Sequence, residues 1–370
     1  MAISSALGSS ALLPAGLGFR NVLINGAMQV SQRSAVGTAV ASITTDGYYT
    51  ADRWNTIISS LGTWSQTTVA DAPTGSGFRN SLKMDCTTAD ASPAAGDYCI
   101  VRQKIEGQNL QQFAKGTSSA KPFTLSFWVK SFQTGTFICE LEDTDNSRSV
   151  SKSYTVNASD TWEYKTLTFP ADTTGAFDND SNTSLTVYWW LGAGTTYTSG
   201  TLATTWGAQV SANRAVGQTN VASATTGEWY ITGVQLEQNY QPTPFEQRPI
   251  GVELALCQRY YCTVADGAFA TNLNVGLTHY YQAGFLVARC SFPVSMRSNA
   301  ITLVATSGTN YYINYSNNNG GDGFNSWTLN VVNFNEALIY NGSEVSGTSG
   351  YAGDCRLNNA LAKVSFSAEL

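Results

Sequence analysis

A chain of 370 residues is long enough for two or three domains, each with its own core. Only 12% of residues are charged, aromatics reach 12% and glycine numbers 33, the balance of an all-β chain with many turns. The net charge of −6 argues against nucleic acid as a partner, and no apolar run approaches the 18 residues of a spanning helix, which argues against membrane insertion.

Residues 1–20 are small and rich in glycine and serine around Pro14, too poor in large apolar groups to fold alone. They predict an arm that becomes ordered by docking, with Leu12, Leu13, Pro14, Leu17 and Phe19 as its contacts. Its first arginine, Arg20, follows the apolar part, so the stretch does not read as a signal peptide. From Asn21, NVLINGAMQVSQR predicts a short strand turned at Asn25-Gly26. YYTADRW, residues 48–54, predicts a structural ion pair of Asp52 and Arg53 with the guanidinium near Trp54.

Strand signals then recur with the rhythm of a β-sandwich rather than of βαβ units. KPFTLSFWVKS, residues 121–131, sets Phe123, Leu125, Phe127 and Val129 on one face and Thr124, Ser126, Trp128 and Lys130 on the other. NTSLTVYWWLG, residues 182–192, does the same, with Leu185, Val187, Trp189 and Leu191 opposed to Thr186, Tyr188 and Trp190. Trp128, Tyr188 and Trp190 therefore sit among polar residues. Flat rings there suit the C–H face of a sugar, so the three are candidate glycan-binding residues. The alternative is that a loop, the second sheet or a neighbouring subunit covers them.

Between these strands FICELEDTDNSRS, residues 137–149, gathers Glu140, Glu142, Asp143 and Asp145. A glycoside hydrolase would need two carboxylates about 5–10 Å apart. Strand alternation puts Glu140 and Glu142 on one face and the two aspartates on the other, so the run reads as a strand end with a solvated loop. Asp178, Asp180 and Asn182 match the first three spacings of a calcium-binding EF-hand, but no glycine follows at the sixth position and Trp189 stands at the twelfth. The run is therefore not an EF-hand, and a structural Ca²⁺ held by these oxygen-rich loops, with Asp178, Asp180 and Asn182 as ligands, is the one metal option left; no cofactor is expected.

His279 is the only histidine, so a three-histidine zinc site is impossible; HExxH and GxxxxGK[ST] are absent. It sits among aromatics in LTHYYQAGF and predicts a packed structural residue. The seven cysteines are odd in number and widely spread, which predicts buried thiols; Cys86 with Cys99 is the one pair that could bridge a hairpin.

YITGVQLE reads as a closing strand, and QPTPFEQRP as an extended connector fixed by Pro242, Pro244 and Pro249. IGVELALCQRYY is the best helical candidate, with Val252, Leu256 and Tyr260 recurring on one side. A helix this short needs a partner for that side, either its own domain or copies of itself. The last 109 residues return to β patterning and end in AKVSFSAEL, where Ala362, Val364, Phe366, Ala368 and Leu370 alternate with polar residues.

FRNVLINGAMQVSQR, YYTADRW, FTLSFWVKS, and above all YITGVQLE followed by TPFEQRPIGVELALCQRYY together resemble a family of bacteriophage virion proteins, the tail-fibre or minor structural proteins. These motifs lie within residues 16–261, about two thirds of the chain. The resemblance implies a jelly-roll sandwich similar to carbohydrate-binding modules, followed by a variable C-terminal domain. It carries over no catalytic residue. The expected organisation is all-β: a virion-docking arm over 1–20, the sandwich over 21–240, the connector and helical joint over 241–262, and a smaller β-domain over 263–370. The function expected is that of a non-enzymatic fibre or spike subunit, exposed on the virion as a homotrimer, that meets host-surface polysaccharide. A head-fibre or decoration protein with no receptor is the alternative, and a polysaccharide depolymerase a third reading.

Overall fold

The computed structural model describes residues 19–316 and 320–370. Of the expected docking residues, Leu12, Leu13, Pro14 and Leu17 lie outside this range. Phe19 lies within it, 56% exposed, with the Arg248 guanidinium 5.4 Å from its ring centre.

The strands in chain order are β1 (Val40–Ile43), β2 (Gly47–Tyr48), β3 (Asn55–Ser59), β4 (Thr63–Val69), β5 (Ser81–Thr88), β6 (Tyr98–Glu106), β7 (Phe123–Ser131), β8 (Gly135–Asp143), β9 (Arg148–Val156), β10 (Glu163–Phe169), β11 (Thr183–Ala193), β12 (Gly207–Ala208) and β13 (Glu228–Gln238). A short helix, α1 (Thr195–Thr198), precedes β12, and α2 (Ile250–Gln258) follows β13. The distal strands are β14 (Tyr261–Asp266), β15 (Asn274–Gln282), β16 (Phe285–Ser291), β17 (Thr302–Ala305), β18 (Tyr312–Ser316), β19 (Gly321–Phe324), β20 (Thr328–Val332), β21 (Glu336–Asn341), β22 (Ala352–Leu357) and β23 (Lys363–Ser367).

The first thirteen strands form a jelly-roll sandwich. One sheet has six strands in the order β1-β4-β5-β13-β7-β10, and the other has seven in the order β12-β9-β8-β11-β6-β3-β2. The chain passes from one sheet to the other at β1–β2, β3–β4, β5–β6, β6–β7, β7–β8, β9–β10, β10–β11 and β12–β13, so hydrophobic alternation on each strand aims into one shared interior. Phe123, Leu125, Phe127 and Val129 of β7 are fully buried there, as are Leu185, Val187, Trp189 and Leu191 of β11. The Trp189 ring centre lies 5.3 Å from Trp54 and 6.0 Å from Phe127, tying the two sheets together. Burying each such side chain is worth roughly 1.5–3 kcal/mol.

The distal strands pair as a three-stranded sheet, β14-β23-β17, and a seven-stranded one, β19-β18-β22-β15-β16-β21-β20. They enclose a separate core that includes Cys262, Tyr312, Phe324, Trp327 and Phe366. The alternation foreseen for the last segment holds for Ala362, Val364, Phe366 and Ala368, all buried, while Leu370 is half-buried against the joint.

Four sequence expectations need correction. Asn25-Gly26 makes no hairpin: residues 19–39 contain no strand, Asn25 has φ +58°, and its side chain bonds the carbonyls of Val30 (2.8 Å) and Asp52 (3.0 Å). Asp52 and Arg53 are structural but pair with others. Asp52 meets Arg33 at 3.0 Å, while Arg53 bonds Glu369 and lies 3.5 Å over the Tyr260 ring rather than near Trp54. His279 is exposed, not packed. The helix ends at Gln258, and its buried side is Glu253 and Cys257 rather than Val252 and Leu256, which are half-buried. Glu253 can be buried because it accepts the backbone N–H of Asn25 and faces Arg248 at 3.5 Å.

Tyr260 is buried as expected, but within its own chain, packed with Ile24, Val30 and Cys257. The joint is thus a polar and apolar seam between the sandwich and the distal strands. Arg33 reaches Glu369 at 2.8 Å, Lys104 bonds the Leu370 carbonyl at 2.9 Å, and Arg297 bonds the Ser181 carbonyl at 2.8 Å.

Candidate functional site

The three candidate rings do not share a face. Trp128 lies on β7 of the six-stranded sheet, whereas Tyr188 and Trp190 lie on β11 of the other, so the sandwich separates them. The outward direction inferred for each is right, yet Tyr188 is only 5% exposed and Trp190 1%. The segment 194–220 folds back over them, held by Ser151 N–H to the Ala203 carbonyl (2.6 Å) and Thr219 N–H to the Thr136 carbonyl (2.8 Å). Tyr197 from this segment lies 5.3 Å from the Trp190 ring, and Arg214 enters the same layer.

Arg214 donates from Nε to Glu140 Oε1 at 2.8 Å and lies 3.5 Å from Glu142. Trp190 donates its indole N–H to Glu140 Oε2 at 3.1 Å, and the Tyr188 hydroxyl bonds Glu142. Burial pushes the Glu140 carboxyl up to about 7 against the pull of Arg214. Asp143, on the other strand face as expected, pairs with buried Lys115, and Asp145 turns to accept the Asp178 N–H at 2.9 Å.

The Asp178–Asn182 run builds no cation cradle. Asp180 turns both oxygens to Asn182, at 2.9 Å to its N–H and 2.5 Å to its amide, and no group of three or more metal-ligating side chains gathers among the described residues. All seven cysteines are free and buried, so Cys86 and Cys99 are not bridged.

Trp128 leads to a different surface. On the outer face of the six-stranded sheet it sits opposite Tyr164 of β10, with ring centres 5.3 Å apart, and Tyr164 is 45% exposed. On its other side Phe78 arrives from the loop before β5, and Phe245 from the proline connector meets Phe78 at 4.9 Å. A glycine makes this line fit. Gly233 of β13 has φ +61°, and a Cβ there would fall 2.7 Å from Phe78 and 3.2 Å from Trp128. The ladder between β13 and β7 shifts register between Thr232 and Gln235, the kink of a bulge.

Beside the rings runs a charged row. Lys130 lies 4.2 Å over the Tyr230 ring centre and bonds Asp71 at 2.8 Å and Asp160 at 3.0 Å. Trp162 donates its indole N–H to Asp71 at 3.2 Å. Burial opposes ionisation of Asp71, but the hydrogen bonds from Lys130 and Trp162 outweigh it and hold the carboxyl below its ordinary range. Exposed Thr166, on the Tyr164 side of β10, adds a hydroxyl.

This face combines flat rings with fixed carboxylates and a hydroxyl, groups that complement the two kinds of surface on a pyranose. Tyr164 escaped the sequence reading although EYKTLTF alternates plainly. Phe78 and Phe245 had no such signal, because two distant loops bring them.

Neither a family model nor a curated protein matches this sequence. Among solved structures, the enzymatically active domain of bacteriophage CBA120 tailspike protein 4 is 15% identical over 60% of this chain, with a TM-score of 0.31; this chain spans 22% of it. The module TmCBM61, solved with β-1,4-galactotriose, is 10% identical over 60% of this chain and 99% of its own, TM-score 0.29. A family 11 carbohydrate-binding module from Clostridium thermocellum, solved with a mixed-linked tetrasaccharide, is 11% identical over 56% of this chain and 100% of its own, TM-score 0.28. Among the described residues no helix is long and apolar enough to cross a membrane.

Proposed function

We propose that this chain is a non-enzymatic subunit of a bacteriophage particle, a fibre or spike component held by its N-terminal residues, that recognises host-surface glycan on the outer face of its six-stranded sheet. The observation that carries the reading is the aromatic line Tyr164–Trp128–Phe78–Phe245, laid over Gly233 and bordered by Asp71 and Asp160. Rings left at a surface beside fixed acceptors suit sugar better than water, since water gains nothing from the flat ring faces. The phage setting rests on the resemblance of the joint and sandwich motifs to virion proteins. Assembly as a homotrimer on the particle surface goes with it, and the half-buried Val252 and Leu256, which share one side of α2, keep surface there for neighbouring subunits.

Binding without cleavage is part of the proposal, because the Glu140 and Glu142 carboxylates are engaged by Arg214, Trp190 and Tyr188 beneath a covering segment. A general acid or nucleophile needs access to substrate. The purified chain is expected to bind host cells or their surface polysaccharide saturably and to release no oligosaccharide. Absence of saturable binding at micromolar protein, or release of oligosaccharide that stops in Glu140→Gln, contradicts the proposal.

A further inference from the structure

Resting on the glycan-binding reading, we infer that this face takes a neutral glycan and discriminates against acidic ones. The charges around the ring line decide it. Lys130 is shared by Asp71 (2.8 Å) and Asp160 (3.0 Å); Lys83 is shared by Glu228 (2.6 Å) and Asp85 (3.9 Å). In the row beside Trp128 and Tyr164 two ammonium groups thus face four carboxylates; Arg79 next to Phe78 and Arg20, which donates to the Pro244 carbonyl at 3.3 Å, stand at the other end of the ring line.

Neither lysine is in reserve. Both also stand over the Tyr230 ring, Lys130 at 4.2 Å and Lys83 at 5.5 Å from its centre. The Tyr230 hydroxyl in turn donates to Glu228 at 2.7 Å, so the row is a closed set of pairs. An acidic sugar would have to take an ammonium from this set and leave a carboxylate facing its own charge, a juxtaposition that selects against such a ligand.

A neutral sugar meets no such conflict. The side chains of Asp71 and Asp160 are 42% and 67% exposed, so both keep lone pairs for sugar hydroxyls while remaining paired with Lys130. Trp128 and Tyr164 then take the C–H face of the ring. Hydroxyl donors meeting fixed acceptors is the polarity this surface offers.

The test is titration of the full chain with neutral oligosaccharides, such as glucans, mannans and galactans, and with acidic ones of matched length, such as polyuronates and polysialic acid, at low and at physiological salt. The expected result is binding of a neutral member at least about tenfold tighter than any acidic one, nearly independent of salt, and weakened about tenfold or more in Trp128→Ala and Tyr164→Ala. Tyr164 is exposed enough for its variant to stay folded should Trp128→Ala fail to. In the double variant Asp71→Asn/Asp160→Asn the discrimination is expected to shrink. Preference for an acidic glycan that depends on Trp128 or Tyr164 overturns the inference and leaves the glycan-binding reading intact. Binding that neither variant weakens overturns the assignment of this face, and no binding to either class counts against both.

Discussion

Arg259 meets Glu106 through two parallel hydrogen bonds, Nε to Oε1 at 2.9 Å and Nη2 to Oε2 at 2.8 Å, across 153 residues of sequence. The Glu106 side chain is 0% exposed, and the Tyr260 hydroxyl and Gln108 amide complete its shell. The carboxylate ends β6 of the sandwich, and both Arg259 and Tyr260 stand between α2 and β14. One buried charge thus fastens the joint to the sandwich.

Arg259→Met removes the paired charge and leaves a buried carboxylate with only neutral donors. Such changes cost about 3 kcal/mol, more than the pair itself is worth against an apolar replacement. The expected result is a fall of that size in unfolding free energy by urea titration. If the joint melts separately from the sandwich, a second transition appears at lower urea.

The same site sets a pH dependence. Burial alone would raise the Glu106 carboxyl, but the bonds from Arg259 and Tyr260 outweigh it and hold its folded value below the ordinary 4.5. A carboxyl depressed on folding contributes stability that is complete above the unfolded value and lost as pH falls through the folded one. Stability is therefore expected to drop below about pH 4.5, and Glu106→Gln to show a shallower acid limb than the wild type. Urea midpoints measured from neutral pH down to pH 3 check both the sign and the residue.

Gly233→Ala asks a left-handed residue to carry a side chain where Phe78 and Trp128 already lie, 2.7 and 3.2 Å from the new Cβ. The combined backbone and packing cost is expected near 2 kcal/mol. Trp128 fluorescence is difficult to isolate among nine tryptophans, so the readouts are the urea midpoint and the loss of glycan binding. A stable variant that binds normally would show that the ring line does not need this glycine.

The seven thiols offer a further check on the two cores. Burial pushes Cys99, Cys139, Cys257 and Cys355 well above the ordinary thiol range, Cys86 and Cys262 up to about 11, and Cys290 up to about 12. A thiol reagent is expected to find none of them in the native protein at neutral pH and all seven after denaturation.

Much of the sandwich was legible because strand alternation is a local signal. Phe123 to Val129 and Leu185 to Leu191 could be aimed inward from spacing alone, since a one-residue error would expose the whole set. The same signal aimed Tyr188 and Trp190 outward but could not see the segment 194–220 lying over them, which has no periodicity of its own. Arg53 was legible as an ion-pair residue, but not its partner Glu369, 316 residues away. Half of the candidate site was within reach, Trp128 by inference and Tyr164 by the unused alternation of β10. Phe78 and Phe245 depend on a bulge at Gly233 that brings two loops to one place, and nothing local announces that meeting.

The most direct measurement compares glycan affinity in Trp128→Ala and Trp190→Phe, one ring on each outer face of the sandwich. A well-packed aromatic contact at a binding site is worth about 2 kcal/mol, or roughly thirtyfold in affinity. The predicted result is a loss of that size for Trp128→Ala and unchanged binding for Trp190→Phe, whose ring serves Glu140 and the covering segment. Unchanged binding in Trp128→Ala together with loss in Trp190→Phe would contradict the account and move the glycan to the opposite sheet.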